Sequence, residues 1–248
     1  MPRQPRQDSK SGVFHIIKRG INRQNIFQDE EDKEIYIERL MRYKNESEFE
    51  LYAYCLMENH IHLLIKEGNE SVSNVIKRLG VSYVRWYNKK YDRIGHLFQD
   101  RFRSEPVEDD KYLLTVTRYI HQNPVKIGSP INSWTSYDSY LNNSDTIDKR
   151  LILEMFSTNN SEAKNMFIKF MNEKGNDTSI DIFDNDRLCD AEAADMIKII
   201  SEISTCEDLQ YLDKAKRDEI LRNIKEAGIP ILQITRLTGL NRGVVTGA

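Results

Sequence analysis

Two short runs of strand-forming residues, Phe49 to Met57 and His60 to Lys66, are separated only by Glu58 and Asn59. Alternating runs joined by two residues predict an antiparallel hairpin. Asn59 accepts the positive φ of such a turn more readily than Glu58. Strand side chains point to opposite faces in turn, so His60, His62 and Leu64 share one face and Ile61, Leu63 and Ile65 the other. Two imidazoles then stand side by side, at a spacing from which ring nitrogens converge on one divalent ion or one phosphate. A bare His-x-His is equally a pair of partly buried, hydrogen-bonded histidines.

The flanking chain supplies the remaining elements. Residues 12–19 read as a first strand, followed by a loop at 20–25 with Arg19 and Arg23 near its ends. Asp29 is placed to cap a helix whose apolar stripe is Ile35, Ile37, Leu40, Met41 and Tyr43. Ser71 opens a second helix reaching Tyr91, with Val72, Val75, Ile76, Leu79, Tyr83 and Trp86 on its buried side and a basic opposite side. Residues 97–107, Asp100 included, read as a fourth strand. A third helix begins at Asp109 or Asp110 and spans 111–122, since Pro124 disfavours helical backbone before it.

The order strand, helix, strand, strand, helix, strand predicts an α+β fold, a ferredoxin-like antiparallel sheet of the βαββαβ type. The first and third strands are central. The third helix is then available to cover the histidine-bearing face. On that helix Tyr119 and Asn123 are four apart and share a side. A divalent ion held by His60, His62 and the Asn123 amide oxygen would polarise a phosphodiester for attack by the Tyr119 phenol, which is a poor nucleophile without a base or cation nearby. Read singly, Tyr119 is an ordinary half-buried aromatic and Asn123 a helix-ending amide.

The blocks 20–23, 54–66, 86–88, 95–102 and 118–125 occur in one order, and together they resemble the single-tyrosine transposases of the HUH endonuclease superfamily. Within that group the similarity is greatest to the REP-associated tyrosine transposases and their relatives. It covers about the first half of the chain. The resemblance implies that His60 and His62 are the metal-binding pair, Asn123 the third ligand and Tyr119 the nucleophile. The implied ion is magnesium or manganese, although two imidazoles also suit zinc. The implied reaction cleaves single-stranded DNA beside a hairpin, leaving a 5′-phosphotyrosine link and a 3′-hydroxyl. Glu58 departs from the pattern, since relatives often carry glycine there.

The net charge of −3 conceals an asymmetry: residues 1–130 carry 22 Lys and Arg against 19 Asp and Glu, so +3, and the rest −6. Basic residues interleave with aromatics between 77 and 103, a composition suited to single-strand binding. Arg19, Arg23, Arg85, Lys89, Arg101 and Arg103 are the candidate DNA contacts. Residues 131–150 read as a linker and 151–248 as an all-α region, with helices at 149–156, 161–173 and 191–203 and a break at 175–179. Residues 229–248 have the spacing of a helix-turn-helix or of a plain helical hairpin, with the second helix cut short. Cys55, Cys189 and Cys206 suggest neither disulfides nor a zinc site, and no segment suits a signal peptide or a membrane span. These features predict a cytoplasmic protein with DNA as partner, acting as a monomer or a homodimer. A DNA-binding regulator on a degenerate nuclease fold is the alternative. An RNA-binding module is weaker, because the first and third strands lack an exposed aromatic pair.

Overall fold

A computed structural model describes residues 8–99, 101–142, 144–173 and 190–247. Asp100, Cys189 and the break expected at 175–179 lie outside the described residues. The chain divides into two units, residues 1–180 and 181–248.

In the first unit, β1 (Val13–Arg19), β2 (Glu50–Leu56), β3 (His60–Lys66) and β4 (Arg103–Pro106) form an antiparallel sheet ordered β2-β3-β1-β4. β1 and β3 are central, as a βαββαβ chain requires. Between the strands run α1 (Glu30–Ser47) and α2 (Val72–Lys90), which pack on each other. They occupy the sheet face to which Lys18 points. The Lys18 ammonium fills the space left by the missing side chain of Gly80 and stands 4.0 Å from the centre of the Phe98 ring. α3 (Asp110–Lys126) lies over β2 and β3 on the opposite face.

The caps form as the sequence predicts at two helices: Asp29 accepts from the Asp32 amide, and Asp109 from the Tyr112 amide. The buried stripe of α1 is rotated from the expected one. It runs Asp32, Tyr36, Leu40, Tyr43 and Ser47, leaving Ile35, Ile37 and Met41 partly exposed. Asp32 tolerates burial because Gln28 N, Lys90 Nζ and the Tyr91 hydroxyl all donate to its carboxylate. Neither Glu58 nor Asn59 has positive φ. Their carbonyls instead accept from Ile26, Phe27 and Gly20 amides, which ties the hairpin turn to the loop after β1.

Three further expectations are corrected. The fourth strand is shorter than 97–107, because the backbone at its start bonds to the last residue of β1 and the loop after it: Gln99 N donates to Arg19 O, and Ile21 N to Leu97 O. α3 runs through Pro124 to Lys126. Asn123 Nδ2 donates to Tyr119 O at 2.8 Å, and the chain closes with short-range bonds from Ile127 and Ser129 amides to Pro124 O. Residues 131–150 are not a linker. They line the outer edge of β2: Leu56 N donates to Trp134 O, Tyr54 N to Ser136 Oγ, Leu51 N to Asp148 Oδ2 and the Tyr140 hydroxyl to Tyr52 O. The boundary expected at 130 therefore moves to 180.

Within this segment α4 (Tyr137–Leu141), α5 (Arg150–Glu154) and α6 (Asn160–Asn172) build a second layer against α3. Buried His121 anchors it, bonding Ser136 Oγ through Nε2 at 2.8 Å and packing edge-on against Tyr137, Tyr140 and Phe167. Burial pushes the pKa of His121 down to about 3. The second unit has its own core around Ile197, Leu209, Leu221, Ile224 and Ile234. It holds α7 (Asp190–Ser201), α8 (Lys214–Glu226), α9 (Ile231–Thr238) and α10 (Arg242–Gly247). Gly239 ends α9 at φ 70°, and Asn241 caps α10 through Val244 N. No described helix is long and apolar enough to cross a membrane.

Ser136 is fully buried and serves both Tyr54 N and His121. Ser136→Ala should lower the unfolding free energy by about 1–3 kcal/mol, because it leaves buried polar groups without partners. Urea denaturation of the full chain measures this, and an unchanged midpoint would show that the segment is not held there.

Candidate active site

The register of the two central strands determines what meets His62. Ile17 is paired with His62 and Arg19 with His60 across β1 and β3, and His15 with Glu105 across β1 and β4. Paired residues point to the same side, so His15, Arg19, His60, His62, Arg103 and Glu105 share the face under α3. Of these, His15 and Glu105 are additions that the sequence reading missed. The signal was present in the alternation of Val13, His15, Ile17 and Arg19. Antiparallel register between strands that no short turn joins is not visible in one sequence.

His15 Nε2 lies 3.1 Å from His62 Nδ1, with the rings stacked. His15 Nδ1 faces Glu105 Oε2 at 3.8 Å, too long for a hydrogen bond but close for a charge. Tyr112 donates to the other Glu105 oxygen. Burial raises the Glu105 pKa, but His15 and Tyr112 outweigh it and hold the carboxyl below its ordinary range. His60 Nδ1 bonds Asn59 Oδ1 at 2.7 Å. His60 and His62 thus each use Nδ1 for support, which makes Nε2 their nitrogen for chemistry.

The His60 and His62 ring centres are 4.9 Å apart. Tyr119 meets both His62 and His15 edge-on at 5.7 and 5.9 Å. Lys126, one helical repeat beyond, holds its ammonium 4.1 Å from the Tyr119 ring centre. His62 is fully buried, and burial drives its pKa well below 6.5, with His60, His15, Arg19 and Lys126 pressing the same way. It is therefore a neutral imidazole, the form that binds metals. Asn123 is 5% exposed; its amide nitrogen serves Tyr119 O, so its Oδ1 remains as the donor atom.

Among the described residues no group of three or more His, Cys, Asp or Glu side chains is placed to hold a metal. The His60 and His62 imidazoles, supported at Nδ1, with an amide oxygen on the helix above, nevertheless form a partial ligand set of a type that phosphate oxygens complete. The expected site residues are thus brought together in one respect and separated in another. His60, His62 and Tyr119 converge, Asn123 stands one helical turn beyond Tyr119 on α3, and Arg19 and Arg103 join the face of the histidines. Arg23 sits beside the hairpin turn, its carbonyl accepting from Asn59 Nδ2. Arg101 is exposed ahead of β4. Arg85 and Lys89 are exposed on α2, across the sheet from Tyr119.

Residues 9–123 match the family model described as Transposase IS200 like. A curated protein of Haemophilus influenzae named "Putative REP-associated tyrosine transposase" is 35% identical over 92 residues, covering 32% of this chain and 52% of that one. The chain thus spans about half the length of this relative. A solved structure described as "Structure of the REP associates tyrosine transposase bound to a REP hairpin" aligns with a TM-score of 0.48 at 17% identity, over 57% of this chain and 86% of that one. The transposase resemblance read from the sequence is borne out over residues 9–123.

The hydrogen-bond chain requires one proton arrangement if His62 Nε2 is to act as a ligand. His62 Nδ1 carries the hydrogen and donates to His15 Nε2, and His15 Nδ1 carries one toward Glu105. Nitrogen NMR of ¹⁵N-histidine protein should show His62 as the Nδ1–H tautomer. An Nε2–H tautomer would refute this chain.

Proposed function

We propose that the chain cleaves and rejoins single-stranded or hairpin DNA through a covalent bond between Tyr119 and a 5′-phosphate. The observation that supports it most is that one helix brings Tyr119 and Asn123 over the sheet face that holds His60 and His62. The match of residues 9–123 to IS200-like transposases supports the same reading. In this reaction the Tyr119 oxygen bonds to phosphorus and the bond from phosphorus to the 3′-oxygen breaks. The phenol proton is lost to solvent and the leaving oxygen takes one up as a 3′-hydroxyl. The reverse step rejoins the strand.

Lys126 over the Tyr119 ring favours negative charge on the phenol. Arg19 and Arg103, on the same face, are positioned to meet phosphates flanking the scissile one. A magnesium or manganese ion would be held by His60, His62 and Asn123, and when bound would supply Lewis-acid polarisation of the phosphodiester. His15 acts through His62: its contact at 3.1 Å fixes the ring's orientation, and Glu105 steadies His15 in turn. Tyr119 is only 2% exposed, so the end of α3 or its cover shifts when DNA enters.

Incubation with labelled single-stranded hairpin DNA and manganese should give a species that survives boiling in detergent, and Tyr119→Phe should give none. Tyr112→Phe is the control for the nucleophile, and loss of the adduct there alone would reassign it. Cutting without any covalent species would sink the tyrosine mechanism, and binding without cutting would favour the regulator.

His60→Ala and His62→Ala should both abolish cleavage, and full activity in excess chelator would remove the metal from the scheme. His15→Ala should weaken manganese binding by about 10–100-fold, measured by titration without DNA. Wild-type affinity in that variant would show that His15 does not orient the site.

A further inference from the structure

The outer surface of the α1–α2 layer, across the sheet from His62, carries an open groove of about 700 Å³. Arg39 and Arg42 line it from α1, and Lys77, Arg78, Arg85 and Lys89 from α2, with Glu70 as the acidic residue in the lining. Arg78 is neutralised by Glu46 and Glu70, and Arg42 is paired with Glu46. Arg39 is fixed by donating to Ser82 O at 2.7 Å and to the Ser82 hydroxyl. Lys77, Arg85 and Lys89 have no ion pair among the described residues.

We propose that this groove binds the phosphate backbone of duplex DNA, independently of sequence and apart from the strand at Tyr119. Lys77, Arg85 and Lys89 are spaced by eight and four residues, so they form one row about 18 Å long at about 1.5 Å per residue. Such a row spans about five phosphates of one duplex strand at about 3.4 Å each. Arg85 and Lys89, four apart, repel each other in the bare helix, and an anionic backbone alongside relieves that repulsion.

The aromatic rings of the groove argue for a duplex over a single strand. Lys90 Nζ lies 5.1 Å from the Trp86 ring centre, and the Arg42 and Arg78 guanidinium carbons lie 4.6 and 4.8 Å from that of Tyr43. Cations already occupy those faces. The groove therefore offers charge in a fixed row and no stacking platform, whereas single-strand binding relies on stacked bases. This assignment does not depend on chemistry at Tyr119, and it places the α2 residues that the sequence marked as DNA contacts in a surface of their own.

Fluorescence anisotropy of a blunt 20-base-pair duplex with the full chain, over a series of salt concentrations, tests it. Arg85→Ala/Lys89→Ala should weaken binding about 10-fold and reduce the slope of log K against log salt by about 2, at about 0.9 per phosphate contact. Lys214→Ala/Lys216→Ala removes the same charge from exposed positions of the second unit and should leave both quantities unchanged. Circular dichroism melts confirm that each variant is folded. Equal weakening by the two double variants, or no change in Arg85→Ala/Lys89→Ala, overturns the proposal. So does polyglutamate binding more tightly than duplex and being lost in Arg85→Ala/Lys89→Ala, which would assign the groove to an acidic peptide. Failure of single-strand cleavage, scored separately, would sink the Tyr119 chemistry and leave the groove standing.

Discussion

Because Ile17 is paired with His62 and Arg19 with His60 down the centre of the sheet, every group under α3 depends on the β1–β3 register. A slip of one residue would turn His15 toward α1 and α2, and bring Lys18 and Ile16 under Tyr119. The fold guards against that slip at both ends of the ladder. Gly20 N donates to Asn59 O just beyond one end, and Glu67 N to Gly12 O just beyond the other. The apolar residues of β3 add to this: Ile61, Leu63 and Ile65 are all buried on the helix side, and one step would exchange them for histidines.

α3 meets opposing demands. It must bury enough surface to hold its place, yet present a phenol and an amide to a chemical site. The two sides of the helix divide the work. His121 and Thr117 are fully buried, and His121 is packed among the aromatic rings of the 137–167 layer. Tyr119 turns to the sheet, and Asn123 follows it one turn on. Pro124 does not break the helix, because a short-range turn closes the chain after it. That extension carries Lys126 back over Tyr119, which a stop at Asn123 would have prevented.

What the sequence made legible was local. The period-two alternation from 50 to 66, the Asp29 and Asp109 caps and the four-residue step from Tyr119 to Asn123 depend on neighbours in the chain, and all appear in the structure. What it hid was long-range. His15 joins the site through register with strands 47 and 90 residues away in sequence, and no local pattern encodes that. The polar stretch after Pro130 looked like a linker because Ser136 and Asp148 are hydrophilic. Their polarity serves buried backbone amides of β2, at Tyr54 and Leu51, which no solvent-facing reading of composition would reveal.

The cover along β2 also sets an order of events. Leu51 and Asp148 are 97 residues apart, so their bond closes one of the longest loops in the unit. All four strands have been synthesised once Pro106 is made, but β2 then still presents a bare row of amides and carbonyls. At about 5–20 residues per second, the roughly 40 residues from there to Asp148 take about 2–8 s. During that interval a neighbouring nascent chain can pair with the sheet along β2, and this edge is closed to such pairing once the last turn of cover is laid down.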